Sequence, residues 1–295
     1  NRCRRQGSGK GIHLQGQSLM RPLVSIERDH KDLYQSCVGQ TKSAYCKQML
    51  LDMTDRVVAA GNAYVAALQT GRPDTVAKMP MSVEEQREIS KVYDARLVSK
   101  TGIERHTYDQ VKALVGKCPY CGFGEVWEVD HYLPKNTFPE LNILPKNLVP
   151  ICHPCNHIKL MNLPEASNKS LLHPYFDNLP MERWLFADLT IEEGGPVLEY
   201  HVRLDSGHGA ISERLGHHFE KLKLSHRMKV QSAQILVEIQ ATIEEFLGEM
   251  GPDGLKEHFQ SAGEKIFRTH GNTMEMAAYF AAAENENYCS GAYRS

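Results

Sequence analysis

Cys118-Pro119-Tyr120-Cys121, Trp127-Glu128-Val129-Asp130-His131-Tyr132-Leu133-Pro134-Lys135, Asn147-Leu148-Val149-Pro150-Ile151 and Cys152-His153-Pro154-Cys155-Asn156-His157-Ile158-Lys159 follow one another within about forty residues. The two C-x-x-C pairs set the frame. Two-residue spacing lets both thiolates of a pair reach one tetrahedral ion, while backbone amides soften the sulfur charge. Two matched pairs predict a single four-thiolate zinc site on Cys118, Cys121, Cys152 and Cys155 rather than a redox dithiol exchange. Four thiolates leave no open coordination position, so this zinc is structural. Its binding energy doubles as folding energy for a segment with little core of its own. The thirty residues between the pairs exceed ordinary ribbon spacing, so something is built between the halves.

Outward from the cysteines, a short strand carrying Asp130-His131 is followed by a loop, a second short strand and a helix opening at Cys155-Asn156. That is a ββα unit. On these residues the chain resembles the HNH, or ββα-metal, endonucleases in their zinc-stapled form. His131 stands at the first letter, Asn147 at the middle one and Asn156 at the third, where Asn replaces the name-giving His. The resemblance implies an α+β fold with an HNH core and metal-dependent hydrolysis of DNA phosphodiester bonds, with RNA left open. It also implies 5′-phosphate and 3′-hydroxyl products, and an Asn147 that pins the loop behind the His131 ring.

The chemistry of the residues agrees. Phosphodiester hydrolysis needs a base for water and a cation for the developing charge. A neutral imidazole is a suitable base near pH 7, which assigns His131 as general base. The carboxylate of Asp130 and the amide oxygen of Asn156 are hard ligands that suit Mg²⁺ or Mn²⁺. His157 is a second candidate for the third ligand. Neighbours on a regular strand point to opposite faces, so Asp130 and His131 must sit where the strand ends or bulges. Lys159, three residues past Asn156, shares its helix face and is expected to hold a phosphate, with Lys135 beside it. His153 is expected to be exposed rather than functional. The competing reading is a non-catalytic, zinc-stapled nucleic-acid-binding or scaffold subunit.

Two further stretches, His173-Pro174-Tyr175-Phe176-Asp177 and the tail from Ala277 to Cys289, are similar to HNH proteins encoded beside ATPases in bacterial anti-phage operons, such as the Septu and retron-associated systems. This looser resemblance implies an ATPase partner. The residue-level alternative is that His173 caps a turn and the tail aromatics are core.

Composition bounds these readings. The 295 residues carry 34 Lys+Arg and 36 Asp+Glu, a net charge of −2 that excludes binding nucleic acid by bulk charge. Locally, residues 208–234 hold five basic against two acidic side chains. Arg214, Lys221, Lys223, Arg227 and Lys229 are the candidate backbone-contacting flank. The remaining cysteines, Cys3, Cys37, Cys46 and Cys289, are scattered, and no apolar signal or membrane-length segment is present. A reducing cytoplasm and no membrane partner are expected, and a single nicking site per chain is consistent with a homodimer.

The expected organisation is a leader over 1–24, a helical region over 25–116, the zinc-stapled core over 117–177, and a β-hairpin with C-terminal helices over 178–295. Ser82-x-x-Glu85 and Thr107-x-x-Gln110 read as helix starts. Alternation around Glu193-Gly194-Gly195-Pro196 predicts the hairpin. The 211–250 pattern predicts a helix broken at Gly251-Pro252, followed by helices over 255–270 and 273–285.

Overall fold

The computed structural model describes residues 22–160 and 163–294. Most of the expected leader lies outside them; at its end, the Leu23 amide donates to the Pro174 carbonyl.

The N-terminal region is helical as expected, though as three helices where periodicity suggested one run: α1 (His30–Gly39), α2 (Ala44–Asp52) and α3 (Thr54–Gln69). Asp29 and Ser43 cap the first two, each side chain accepting an amide three residues on. Helix α4 (Val83–Tyr93) opens on a capping box in which Ser82 and Glu85 satisfy each other's amides. It runs into a π-helical turn over Asp94–Val98. Helix α5 (Arg105–Lys112) corrects one reading: Thr107 lies inside it, its hydroxyl donating to Glu104 Oε2 instead of capping.

The central segment forms β1 (Glu128–His131), β2 (Leu148–Ile151) and α6 (His153–Lys159). The two strands pair antiparallel, Asp130 opposite Val149 and His131 opposite Leu148. Beyond them come the hairpin β3 (Leu185–Glu192) and β4 (Gly195–Val202), then α7 (Ala210–Lys221), α8 (Leu224–Gln231), α9 (Ala233–His270), α10 (Met274–Glu284) and α11 (Glu286–Cys289). Gly251, at φ 68°, kinks α9 immediately before Pro252, where the break was expected. The fold class is α+β. Among the described residues no helix is long and apolar enough to cross a membrane.

Two hydrophobic clusters result. One gathers Leu33, Tyr34, Val57, Ile89, Tyr93, Leu97 and Val111 from α1 to α5 together with Val129, Ile143 and Leu148. The other gathers the four paired cysteines, Tyr120, Tyr132, Val149 and Ile151 with the hairpin and α7 to α11. Alternate residues of β2 therefore point into different cores, as strand geometry requires. His173 and the tail take their packing roles. The His173 ring accepts the Tyr175 amide at 3.1 Å and meets the Tyr64 hydroxyl at 2.9 Å, and Tyr288 is buried.

Candidate functional site

The four cysteines of the two pairs are buried, and their sulfur atoms all lie within 4.8 Å of one another. A tetrahedral ion with metal–sulfur bonds of about 2.3 Å separates its sulfurs by roughly 3.8 Å. Cys121 and Cys152 stand at that separation, 3.8 Å. Thiol hydrogen bonds from Cys118, Cys152 and Cys155 hold the Cys121 thiol well below its ordinary range. The Gly124 amide donates to Cys121 Sγ at 3.3 Å. A Cβ at Gly124 would lie 2.8 Å from Cys152 Sγ, so only glycine fits this knuckle. The donor set, burial and spacing fit zinc.

Four thiolates around a dication leave two negative charges in a buried place, which is costly without compensation. Arg227 supplies it. The guanidinium reaches Cys155 Sγ at 3.3 Å and Cys152 Sγ at 3.9 Å, and lies 5.2 Å above the Phe123 ring. This replaces the expected role of Arg227 on a nucleic-acid flank.

At the end of β1 the strand stays regular, with burial alternating from Glu128 to His131. Glu128 and Asp130 face α6, and the His131 ring goes to the other side, so no bulge turns Asp130 and His131 toward one ion as the sequence reading required. The ring is buried edge-on against Tyr93, centroids 4.4 Å apart. Nε2 lies 2.7 Å from the Asn142 carbonyl oxygen. A carbonyl only accepts, so Nε2 carries the proton and Nδ1 keeps the lone pair. Burial lowers the His131 pKa to about 4, so the ring is neutral at pH 7.

Asn147 fixes the loop that brings that carbonyl. It is fully buried, and its Oδ1 accepts the Leu133 amide at 2.8 Å. Its Nδ2 donates to the Leu133 and Leu141 carbonyls, each at 3.1 Å. The Tyr132 amide adds a bond to the Asn147 carbonyl. One amide side chain thus spans both ends of the 132–147 loop.

On the α6 side, Asn156 Nδ2 donates to Glu128 Oε2 and His153 Nδ1 meets Glu128 Oε1 at 2.7 Å. His153 is mostly exposed, as expected. Lys159 departs from its expected role as an open phosphate contact. It is buried, donating to Asp130 Oδ2 at 2.7 Å and to the His131 carbonyl at 2.6 Å. Lys135 is likewise engaged, 2.7 and 2.9 Å from the two Asp94 oxygens and above the Tyr93 ring that covers His131. Arg214 is a further correction. It lies buried in a two-pronged ion pair with Asp177 and also donates to the Leu171 carbonyl. Lys229 pairs with Glu199 at 3.0 Å. Lys221 and Lys223 are exposed.

Glu128 has a signal in the sequence, since it stands two residues before Asp130 and therefore on the same strand face. Gly124 also had a signal, three residues past a paired cysteine. Arg227 and the Asn142 carbonyl had none. One is seventy-odd residues from its sulfurs, and the other is backbone, which every residue possesses. Among the described residues the cysteines form the one cluster of three or more His, Cys, Asp or Glu ligand atoms close enough to share an ion.

No family model and no solved structure matches the chain. It is similar to protein ea31 of Escherichia phage lambda, 29% identical over 162 residues, which cover 52% of this chain and 53% of that protein. The chain thus spans about half the length of that relative, whose name states no activity.

Proposed function

We propose that the chain is a zinc-stapled, metal-dependent endonuclease of the HNH type that hydrolyses DNA, with His131 as general base. The observation that carries the reading is the His131 tautomer. Its Nε2 proton is spent on the Asn142 carbonyl, in a loop clamped by Asn147, so in the neutral ring Nδ1 keeps the lone pair a general base needs. Cys118, Cys121, Cys152 and Cys155 hold the structural zinc. A hydrolytic Mg²⁺ or Mn²⁺ would supply charge stabilisation for the attacked phosphate, with Asp130 and Asn156 as its ligands and Glu128 beside them. Those oxygens are of the right type, but Lys159 holds Asp130, so an ion entering there competes with an ammonium group. Lys159 then acts by neutralising Asp130 and tying the end of β1 to α6. An ATPase partner and a place in anti-phage defence rest on the resemblance alone.

The reading of a non-catalytic binding or scaffold subunit is favoured by two features: the buried His131 ring lies on the strand face opposite Asp130, and Lys159 and Glu128 already satisfy Asp130 and Asn156. Plasmid nicking with added Mg²⁺ or Mn²⁺ separates the two. The endonuclease reading expects nicking by the wild type and none by His131→Ala. Nicking that survives the substitution sinks the assignment of His131; no nicking by the zinc-loaded wild type, alone or with a partner ATPase, favours the scaffold.

A further inference from the structure

Beside α6 opens a cleft of about 560 Å³ lined by His157, Ile158 and Leu160 of that helix and its end, and by His217, Glu220, Lys221 and Lys223. Three of the five cations that the sequence placed on a nucleic-acid flank are consumed elsewhere, by Asp177, by the cysteine sulfurs and by Glu199. The two that remain, Lys221 and Lys223, both come to this cleft. His217 adds a buried Nε2 with no hydrogen-bond partner among the described residues. His157 stacks on His153 and so continues the polar face that carries Glu128 and Asn156.

The backbone singles out the same place. Among the described residues two non-glycine residues have positive φ, Leu160 at 44° and Lys223 at 53°. Both line this cleft. L side chains avoid that region, and where they are held in it the surroundings, often a binding site, impose it. At Lys223 the left-handed turn joins α7 to α8 and sets the lysine at the cleft rim.

We propose that this cleft binds the phosphodiester backbone of a polynucleotide running past α6. Lys221 and Lys223 take two phosphates, and His157 and His217 offer donors between them. Ile158 and Leu160 form an apolar floor for sugar or base. The inference rests on the reading of α6 as the nuclease helix and deepens it by naming the path of the substrate.

The test is fluorescence anisotropy of the 295-residue chain with labelled duplex DNA, single-stranded DNA and RNA of about twenty nucleotides, without added Mg²⁺, from 50 to 200 mM salt. Lys221→Gln/Lys223→Gln should weaken binding roughly tenfold or more. It should also flatten the slope of log affinity against log salt by about 1.8 for duplex or 1.4 for a single strand, the loss of two phosphate contacts. Lys42→Gln/Lys256→Gln, two exposed lysines elsewhere, should change neither. Lys223→Gly suits the left-handed backbone while removing a cation, so it keeps the test open if the double variant misfolds; it should lose about half the slope change. Unchanged affinity and slope in these cleft variants overturn the proposal, as does inorganic phosphate competing as well as any oligonucleotide. The largest effect among the three nucleic acids identifies the substrate. Cleft-dependent binding by a wild type that never nicks sinks the nuclease reading and leaves the cleft. Nicking and binding that ignore both lysines do the reverse.

Discussion

Asn147→Ala tests the loop clamp most directly. The side chain makes three hydrogen bonds inside a fully buried pocket, one accepted and two donated. At roughly 1 kcal/mol net each, their loss costs about 3 kcal/mol, and the stranded Leu133 amide and carbonyls raise this toward about 5 kcal/mol. A chain of this size has an unfolding entropy near 0.6 kcal/mol/K, so Tm should fall by about 5–8 °C. That leaves a folded protein, given typical stabilities of about 5–15 kcal/mol. The sharper readout is local. The Leu133 amide is protected by the deleted oxygen, whereas the Tyr132 amide is held by the backbone carbonyl of residue 147, which the variant keeps. Hydrogen exchange should therefore accelerate at Leu133 before Tyr132. Asn147→Asp keeps the acceptor but sets a carboxylate against two carbonyls, and should be no better tolerated than alanine. A Tm shift below 1 °C with unchanged exchange at Leu133 would refute the clamp, and with it the account of how His131 is oriented.

Arg227→Ala removes the cation beside Cys152 and Cys155; zinc release to a chromogenic chelator should accelerate about 10- to 100-fold, the usual scale for supporting residues of a metal site, and Arg227→Lys should recover part of it. Equal release rates would show that the guanidinium only packs on Phe123. Acid should destabilise the fold. His30, His131 and His218 are lowered by burial to about 4 from an unfolded 6.5, and burial holds His173 well below its ordinary value, so the unfolded chain binds their protons first. Their contribution is whole above pH 6.5 and is lost as pH falls toward 4, at roughly 1.4 kcal/mol per pH unit for each ring. Urea unfolding at pH 7.5, 6 and 5 measures the slope, and His218→Gln should lower it by about a quarter; a flat profile would mean that the rings are not buried neutral.

The α+β class, the cysteine cluster, the ββα order and the hairpin were legible because each rests on short-range patterns: C-x-x-C spacing, period-two alternation, and glycine and proline at a turn. Asn147 was legible by resemblance and behaves as a loop clamp. The misreadings share another cause. Lys135, Lys159, Arg214, Arg227 and Lys229 look alike in sequence as free cations, yet each has a counter-charge or sulfur partner brought by chain reversal from 29 to 75 residues away. Charge composition cannot distinguish a solvated lysine from a buried one. Thr107-x-x-Gln110 failed more locally, because the helix starts earlier and the threonine hydroxyl turns to Glu104.

Strand β2 is only four residues long, yet Leu148 belongs to the N-terminal core, and Val149 and Ile151 belong to the core that contains the cysteines. The next residue is Cys152. A segment this short serves as a party wall, and one end of it is nailed to the four-cysteine cluster. Loss of an ion held by those cysteines would therefore slacken both rooms at once, so metal scarcity should be felt as collapse of both cores rather than as the melting of a detachable finger.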